Sequence, residues 1–306
     1  MKHTSMTDEP DTSPPPESLA ADVRCKYVTL DLADGYRGRA RLFENEGRQA
    51  VLYLHGIQSH GGWFLRSCDY LRCAGMTVLA PDRRGSGLNG EQRGHCDSPN
   101  QLIEDVDRCV DWLLAYSRLE QVDIVSVSWS GKLALAYAHR HSRKVRSIAM
   151  VTPGLCARVD ISLAEKIAVG AHGLMNPHRL HEIPLNKPKL FTTNPSMLSF
   201  IENDPLKLTH ATASFFITSA RLDRTIRRIA DRIDIPVYLF LAEHDDIIDN
   251  TVTLELLKPV LTLSEHTKES WRIYEGASHT LDFEPAPTTF PADLVKVLNF
   301  DPTKMP

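Results

Sequence analysis

Three serines alternate in the stretch SVSWSGK, residues 126–132, directly after a run of β-branched residues. A serine at a sharp strand-to-helix turn can hold its hydroxyl above the edge of a sheet, but strand and helix crowd each other there. The residues two before and two after such a serine must therefore be small. Ser128 meets this requirement, since Ser126 and Ser130 flank it, whereas Ser126 has an isoleucine flank and Ser130 a lysine flank. We expect Ser128 to be a nucleophile; the alternative is an ordinary junction with a serine cap.

A serine hydroxyl is a weak nucleophile until a base accepts its proton, and that base needs a third group to hold its tautomer. Candidates follow two later strands. PVYLFLAE precedes Asp245 and Asp246, and SWRIYEG precedes His279. We expect His279 to be the base, with His244 and His266 as the nearest alternatives. We expect Asp245 to be the acid, since Asp246 can instead cap the helix that follows.

An acyl-transfer site also needs backbone N–H groups that stabilise the charge developing on the substrate carbonyl oxygen. One donor is expected from the residue after the nucleophile, Trp129. The second is expected from Ile57 in the loop LHGIQSHGGWF, residues 54–64. The alternative is that the glycines of this loop only make a flexible turn. The loop also contains His55 and His60 in an HxxxxH pattern. No third metal ligand has a suitable spacing, so we expect no metal.

Strands and helices alternate along most of the chain. The predicted strands are residues 26–32, 36–43, 50–56, 76–81, 121–128, 144–153, 236–243 and 270–276, and the predicted helices are 69–75, 97–119, 129–141, 250–261 and 291–299. The first two strands flank an Asp-Gly turn and predict an antiparallel hairpin. The later strands are continuous apolar runs, which are typical of a parallel sheet covered by helices on both faces. The expected fold class is therefore α/β.

The alternation stops between residues 155 and 233, where a mostly helical pattern is interrupted by several X-Pro steps. We expect 155–233 to be a helical cap or lid inserted between the core segments 21–154 and 234–306. Residues 1–20, rich in Pro, Ser, Thr and acidic side chains, predict a disordered tail.

Apolar side chains near the predicted site could line a substrate pocket. We expect Trp63 and Phe64 from the loop after the third strand, and Met197 and Phe200 from the cap, to contact the substrate. The alternative for most of the cap's apolar residues is that they pack the cap onto the core.

Composition excludes several classes of function. A net charge of −4 and a pI near 6.4 favour neither nucleic acid nor acidic lipid as a partner. Six cysteines without a CxxC pair predict a reducing, cytoplasmic environment. The sequence contains no run of 18 apolar residues, so we expect no transmembrane helix. The amino-terminal segment lacks the apolar region of a secretory signal. We expect a monomer or a homodimer.

Five segments together resemble the α/β-hydrolase superfamily, and more closely its monoacylglycerol-lipase and lysophospholipase-like branch. They are LHGIQSHGGWF, APDRRGSGLN, VSVSWSGKLALAYA, FLAEHDDIIDN and YEGASHTLDFE, in order within residues 36–300. The resemblance implies an α/β-hydrolase fold with a helical cap, no cofactor, Ser128, Asp245 and His279 as catalytic triad, and Ile57 and Trp129 as oxyanion donors. This chain departs from the family at Ser126 and Ser130, where glycine is usual.

The resemblance implies a serine carboxylic ester hydrolase that forms an acyl-enzyme with a small-molecule ester or lipid-like substrate. Two alternatives remain. One is a peptidase of the proline iminopeptidase type on the same fold. The other is a catalytically silent binding protein with a hydrolase fold, which has no need of a complete triad.

Overall fold

The computed structural model describes residue 23 and residues 25–261, 270–285 and 289–299. The predicted disordered tail, residues 1–20, lies outside them. The strands are β1 Lys26–Asp31, β2 Arg37–Phe43, β3 Gln49–Leu54, β4 Met76–Pro81, β5 Val122–Val127, β6 Val145–Val151, β7 Leu180–Glu182, β8 His210–Thr212, β9 Val237–His244 and β10 Trp271–Ser278. The helices are α1 Leu65–Cys73, α2 Pro99–Ser117, α3 Ser130–His141, α4 Leu163–Met175, α5 Pro195–Asn203, α6 Ala213–Ile229, α7 Asn250–Leu261 and α8 Phe290–Leu298.

Eight strands form one sheet in the order β1-β2-β4-β3-β5-β6-β9-β10. The β1–β2 and β2–β4 pairs are antiparallel, and the other pairs are parallel. The turn between β1 and β2 has Asp34 and Gly35 at φ 55° and 80°, the left-handed conformation for which the Asp-Gly pair is suited. The predicted α/β-hydrolase fold with an amino-terminal antiparallel hairpin is confirmed.

The parallel strands are the buried centre of the molecule. Every residue of β4 and β5 is buried, as expected for strands covered by helices on both faces. Because β3, β5, β6, β9 and β10 run in the same direction, the loops after their carboxyl ends meet at one edge of the sheet, where α/β proteins bind ligands.

Local signals explain where the helices begin and end. The Ser98 hydroxyl caps α2 by accepting a hydrogen bond from the Gln101 N–H at 3.2 Å, and Pro99 occupies the first turn. The same helix ends at Arg118, which adopts a left-handed φ of 57°. The helix α1 begins at Leu65, four residues before the predicted start at 69.

The segment between β6 and β9 contains α4, α5 and α6, as its helical pattern predicts, and also a two-stranded antiparallel sheet of β7 and β8. This sheet escapes sequence prediction because each strand has only three residues, too few to show a period of two. Backbone bonds join the segment to the core, including Leu208 N–H to Gln58 O and Thr280 N–H to Phe191 O. Within the part of the chain that the structure describes, no helix combines the length and apolar character needed to cross a membrane.

Candidate active site

Ser128 lies at the sharp turn between β5 and α3. Its φ is +54°, a left-handed conformation that side chains other than glycine rarely adopt. Backbone hydrogen bonds hold the turn: the Ser128 N–H donates to Val151 O, and the Ser128 carbonyl accepts from Gly131 and Gly154. A β-carbon on Gly154 would lie 3.2 Å from the Trp129 backbone nitrogen, a tight contact, so glycine suits the close approach of the loop after β6 to the turn.

The two flanking serines have different surroundings. Ser130 Oγ lies 2.9 Å from both Leu54 O and Val127 O and can donate to either. Ser126 Oγ is buried and has no hydrogen-bond partner among the described residues. Both side chains fit beside the turn, so serine in place of the family's glycine preserves the strand-to-helix geometry.

Three predicted residues from distant parts of the chain form one hydrogen-bonded chain. His279 Nε2 lies 2.9 Å from Ser128 Oγ, and His279 Nδ1 lies 2.7 Å from Asp245 Oδ2. All three are buried, with 8%, 1% and 2% exposure for Ser128, His279 and Asp245. A carboxylate at Nδ1 keeps the proton on that nitrogen and leaves the Nε2 lone pair facing the serine hydroxyl.

The structure distinguishes Asp245 from the neighbouring alternatives. Asp245 Oδ1 accepts hydrogen bonds from the Ile247 and Ile248 N–H groups at 2.8 and 3.0 Å, which orients the other oxygen toward the imidazole. Asp246 is exposed. His244 is also exposed, beside Glu243, and His266 lies outside the described residues.

Of the two predicted oxyanion donors, Ile57 lies in the loop after β3, and Trp129 follows Ser128 in the turn between β5 and α3. Ile57 and Trp129 line the same cavity as Ser128. Neither of their backbone N–H groups donates a hydrogen bond to another of the described residues. Both donors therefore remain available to an oxygen atom bound in the cavity.

Internal hydrogen bonds occupy both histidines of the HxxxxH spacing. His55 Nε2 accepts from the Arg83 N–H at 2.9 Å, and His55 Nδ1 donates to Gly56 O at 2.8 Å. Burial, assisted by the charge of Arg83, lowers the pKa of His55 to about 3, so its ring is neutral. His60 Nδ1 accepts from Gly62 N–H, and its Nε2 lies 3.1 Å from Asp204 Oδ2. No cluster of three or more metal-ligand side chains occurs in the described residues.

A cavity of about 620 Å³ opens beside Ser128. Its apolar wall includes Leu155, Ile161, Ile183, Leu185, Phe216 and Ile247, and its charged lining residues are Lys132, Arg158, Asp160, Asp223, Arg227 and Asp249. Sequence reasoning missed this charged lining. One signal was present: Lys132 lies in the first turn of the helix that begins two residues after Ser128.

The four predicted substrate contacts divide into two groups. Trp63 and Phe64 line a narrow cavity together with Ser128 and His279. Met197 and Phe200 are absent from the described lining of both cavities next to Ser128. Phe200 instead packs edge-on against Trp63, with ring centroids 6.0 Å apart, and so attaches the inserted segment to the core.

Comparisons with known proteins identify the family of the chain. A model of the family described as serine aminopeptidase, S33, matches residues 45–286. The phospholipase YtpA of Bacillus subtilis is 20% identical over 77% of this chain and 89% of its own length. The monoacylglycerol lipase of Mycolicibacterium smegmatis is 22% identical over 79% of this chain and 85% of its own length.

The fold also matches solved structures. The crystal structure of Paleococcus ferrophilus monoacylglycerol lipase superposes with a TM-score of 0.74, covering 85% of this chain and 98% of that chain at 22% identity. The predicted superfamily and branch are therefore confirmed. Since the family model matches well over half of the residues, the chain belongs to the S33 serine aminopeptidase family of α/β hydrolases, and within it is similar to the monoacylglycerol-lipase-like branch.

Proposed function

We propose that this protein is a serine hydrolase that cleaves carboxylic esters through an acyl-enzyme on Ser128. The observation that carries the proposal is the hydrogen-bonded chain from Ser128 through His279 to Asp245 beside an open cavity. An isolated serine at a strand-to-helix turn would need neither the imidazole nor the buried carboxylate. A catalytically silent binding protein would need none of the three.

The geometry supports a two-step reaction. As Ser128 Oγ attacks the ester carbonyl carbon, His279 Nε2 accepts the hydroxyl proton, and the developing oxyanion accepts hydrogen bonds from the Ile57 and Trp129 N–H groups. The proton then passes to the departing alcohol, leaving an acyl group on Ser128. In the second step His279 activates water, which releases the acid and regenerates the serine. Asp245 keeps its hydrogen bond to His279 Nδ1 and stabilises the imidazolium.

The cavity supports a lipid-like or aromatic ester as the substrate. Its volume of about 620 Å³ lies within the range of small-molecule sites, and one wall is apolar. Residues 159–161, 183–185 and 216 contribute to its lining, so we propose that the segment 155–233 is a helical lid. The names of the two curated relatives, a phospholipase and a monoacylglycerol lipase, favour lipid esters.

An aminopeptidase is the second candidate, because the family description names one. An aminopeptidase must bind the ammonium group of its substrate, for which an unpaired carboxylate is suited. Each carboxylate lining the cavity already has a cationic partner: Asp160 pairs with Lys166, Asp223 with Lys132, and Asp249 with Arg158. This pairing favours esters over peptides.

A fluorophosphonate probe and two substrate series test the proposal. We expect the probe to label the wild type and the matched control Ser126→Ala, which changes a serine next to the same turn, but not Ser128→Ala. We expect p-nitrophenyl esters to be hydrolysed and aminoacyl anilides to remain intact. Equal labelling of Ser128→Ala would refute the nucleophile assignment, and turnover of anilides without esters would favour the peptidase.

A further inference from the structure

The guanidinium of Arg83 connects the loop after β4 to the loop after β3. Its Nη1 donates to Gly56 O and its Nη2 donates to Ile57 O, both at 3.0 Å. The side chain thus clamps two consecutive carbonyls in the loop that carries the first proposed oxyanion donor. No carboxylate of the described residues is ion-paired with this arginine.

The first of these bonds controls the direction of an N–H group. Gly56 O and the Ile57 N–H belong to the same peptide unit, which is planar and trans, so the two point in opposite directions. Any donor that fixes Gly56 O therefore also aims the Ile57 N–H. Gly56 O accepts from Arg83 and from His55 Nδ1, at 3.0 and 2.8 Å. A charged donor at the carbonyl further polarises the peptide and strengthens its N–H as a donor.

Arg83 also determines the tautomer of His55. Its backbone N–H donates to His55 Nε2 at 2.9 Å, so the ring proton must sit on Nδ1, from which it is donated to Gly56 O. Both bonds to this carbonyl therefore depend on the position of one residue.

The same guanidinium lies against the second donor residue. The Arg83 Cζ is 4.9 Å from the ring centroid of Trp129 and 5.2 Å from that of Phe215. The Trp129 indole is also held by a 2.9 Å hydrogen bond from Nε1 to Ser219 Oγ. One planar cation thus contacts both residues that are expected to supply the oxyanion donors.

We propose that Arg83 is a positioning residue that aligns both oxyanion donors, Ile57 and Trp129, for the ester hydrolysis proposed above. The inference rests on that function. Lysine can replace arginine only in part here, because its ammonium lacks the rigid planar fork that bonds both carbonyls and also stacks on an indole.

The adjacent arginine provides a matched control. Arg84 bonds Asp105 through Nε and Nη2, at 2.6 and 2.8 Å, and pairs with Asp34. Its Cζ lies 4.8 Å from the ring centroid of Tyr36. Arg84 is therefore a buried arginine of the same DRRGSG stretch whose contacts serve the fold and not the oxyanion loop.

The test compares Arg83→Gln and Arg83→Lys with Arg84→Gln. For a p-nitrophenyl ester we expect Arg83→Gln to lower kcat by roughly 10- to 100-fold, less than the loss of an oxyanion donor itself, with KM nearly unchanged. A trifluoromethyl ketone, which forms an oxyanion on Ser128, should lose affinity by the same factor. The kcat and ketone affinity of Arg83→Lys should lie between those of the wild type and Arg83→Gln. Arg84→Gln should lower the Tm but retain kcat and ketone affinity.

Two results would overturn the inference. One is an Arg83→Gln enzyme with wild-type kcat and ketone affinity. The other is a rise in KM alone, which would make Arg83 a substrate contact. If Arg83→Gln does not fold, the same comparison is made with Arg83→Lys. A wild type that neither labels with fluorophosphonate nor hydrolyses esters refutes the proposed function itself, whereas an active wild type with an unaffected Arg83 variant refutes only the role of Arg83.

Discussion

The Trp63 indole Nε1 donates a 2.7 Å hydrogen bond to the carboxylate of Asp204, which follows α5 in the inserted segment. The His60 ring lies against the same carboxylate, and all of these side chains are buried. Burial alone would raise the pKa of Asp204, but the hydrogen bonds from His60 and Trp63 hold it below its ordinary value. This carboxylate therefore attaches the inserted segment to the loop that carries Ile57.

Substituting Asp204→Ala should lower the free energy of unfolding by about 2–4 kcal/mol, because it leaves two buried donors without an acceptor. Urea unfolding at pH 7 measures this loss. The matched control is Asp246→Ala, an exposed aspartate, which should unfold like the wild type. An Asp204→Ala protein as stable as the control would show that the carboxylate does not attach the segment.

Substituting Asp245→Asn should lower kcat for ester hydrolysis by roughly 10⁴-fold. The two backbone N–H groups that donate to Oδ1 would keep the amide oxygen in that position, so the amide NH₂ would face His279 Nδ1 and force the wrong tautomer. Asp246→Asn, the control, should retain kcat. The kcat values of the folded variants decide which aspartate is the acid of the triad. A greater loss of kcat in Asp246→Asn would assign that role to Asp246.

The flanking serines should respond differently to loss of their hydroxyls. Ser126→Ala should leave stability unchanged or raise it by about 0.5–1 kcal/mol, since the buried Ser126 hydroxyl has no partner among the described residues. Ser130→Ala should cost about 1 kcal/mol, because it removes the donor to Leu54 O or Val127 O. Thermal unfolding of both variants measures these changes in stability. A larger loss of stability in Ser126→Ala than in Ser130→Ala would contradict the prediction.

Asp282 should make stability depend on pH. Burial raises the pKa of this carboxyl from 3.8 to about 6. The folded state therefore binds the proton more tightly than the unfolded state does. The resulting stabilisation is complete below the unfolded pKa and is lost as pH rises through the folded pKa, a change of about 3 kcal/mol between roughly pH 4 and pH 7.

Asp282→Asn should remove that dependence, because the amide does not titrate and can still accept the hydrogen bond from the Tyr53 hydroxyl. The measurement is urea unfolding of wild type and variant at several pH values from 5 to 8. The stability of the variant relative to wild type should increase with pH. A difference in stability between the variant and wild type that stays constant over this pH range would contradict the raised pKa of Asp282.

Much of the core could be predicted from the sequence because its signals are local. A strand buried on both faces leaves a continuous apolar run, and such runs located β3, β4, β5, β6 and β9 to within two residues at either end. The small flanks of Ser128 identified the turn by sterics alone. The positions of Asp245 and His279 directly after strands placed both at the edge where parallel strands end.

Only the tertiary structure decided which side chains face each other. Asp245 and Asp246 follow the same strand, and no period in the sequence tells which one points inward from a loop. Ser128 and His279 are 151 positions apart, and Trp63 and Asp204 are 141 apart. The clamp of Arg83 on the Ile57 loop and the packing of Phe200 on Trp63 likewise depend on how separate loops meet. Sequence periodicity reports the face of a regular element, whereas loop side chains take their direction from contacts with distant parts of the chain.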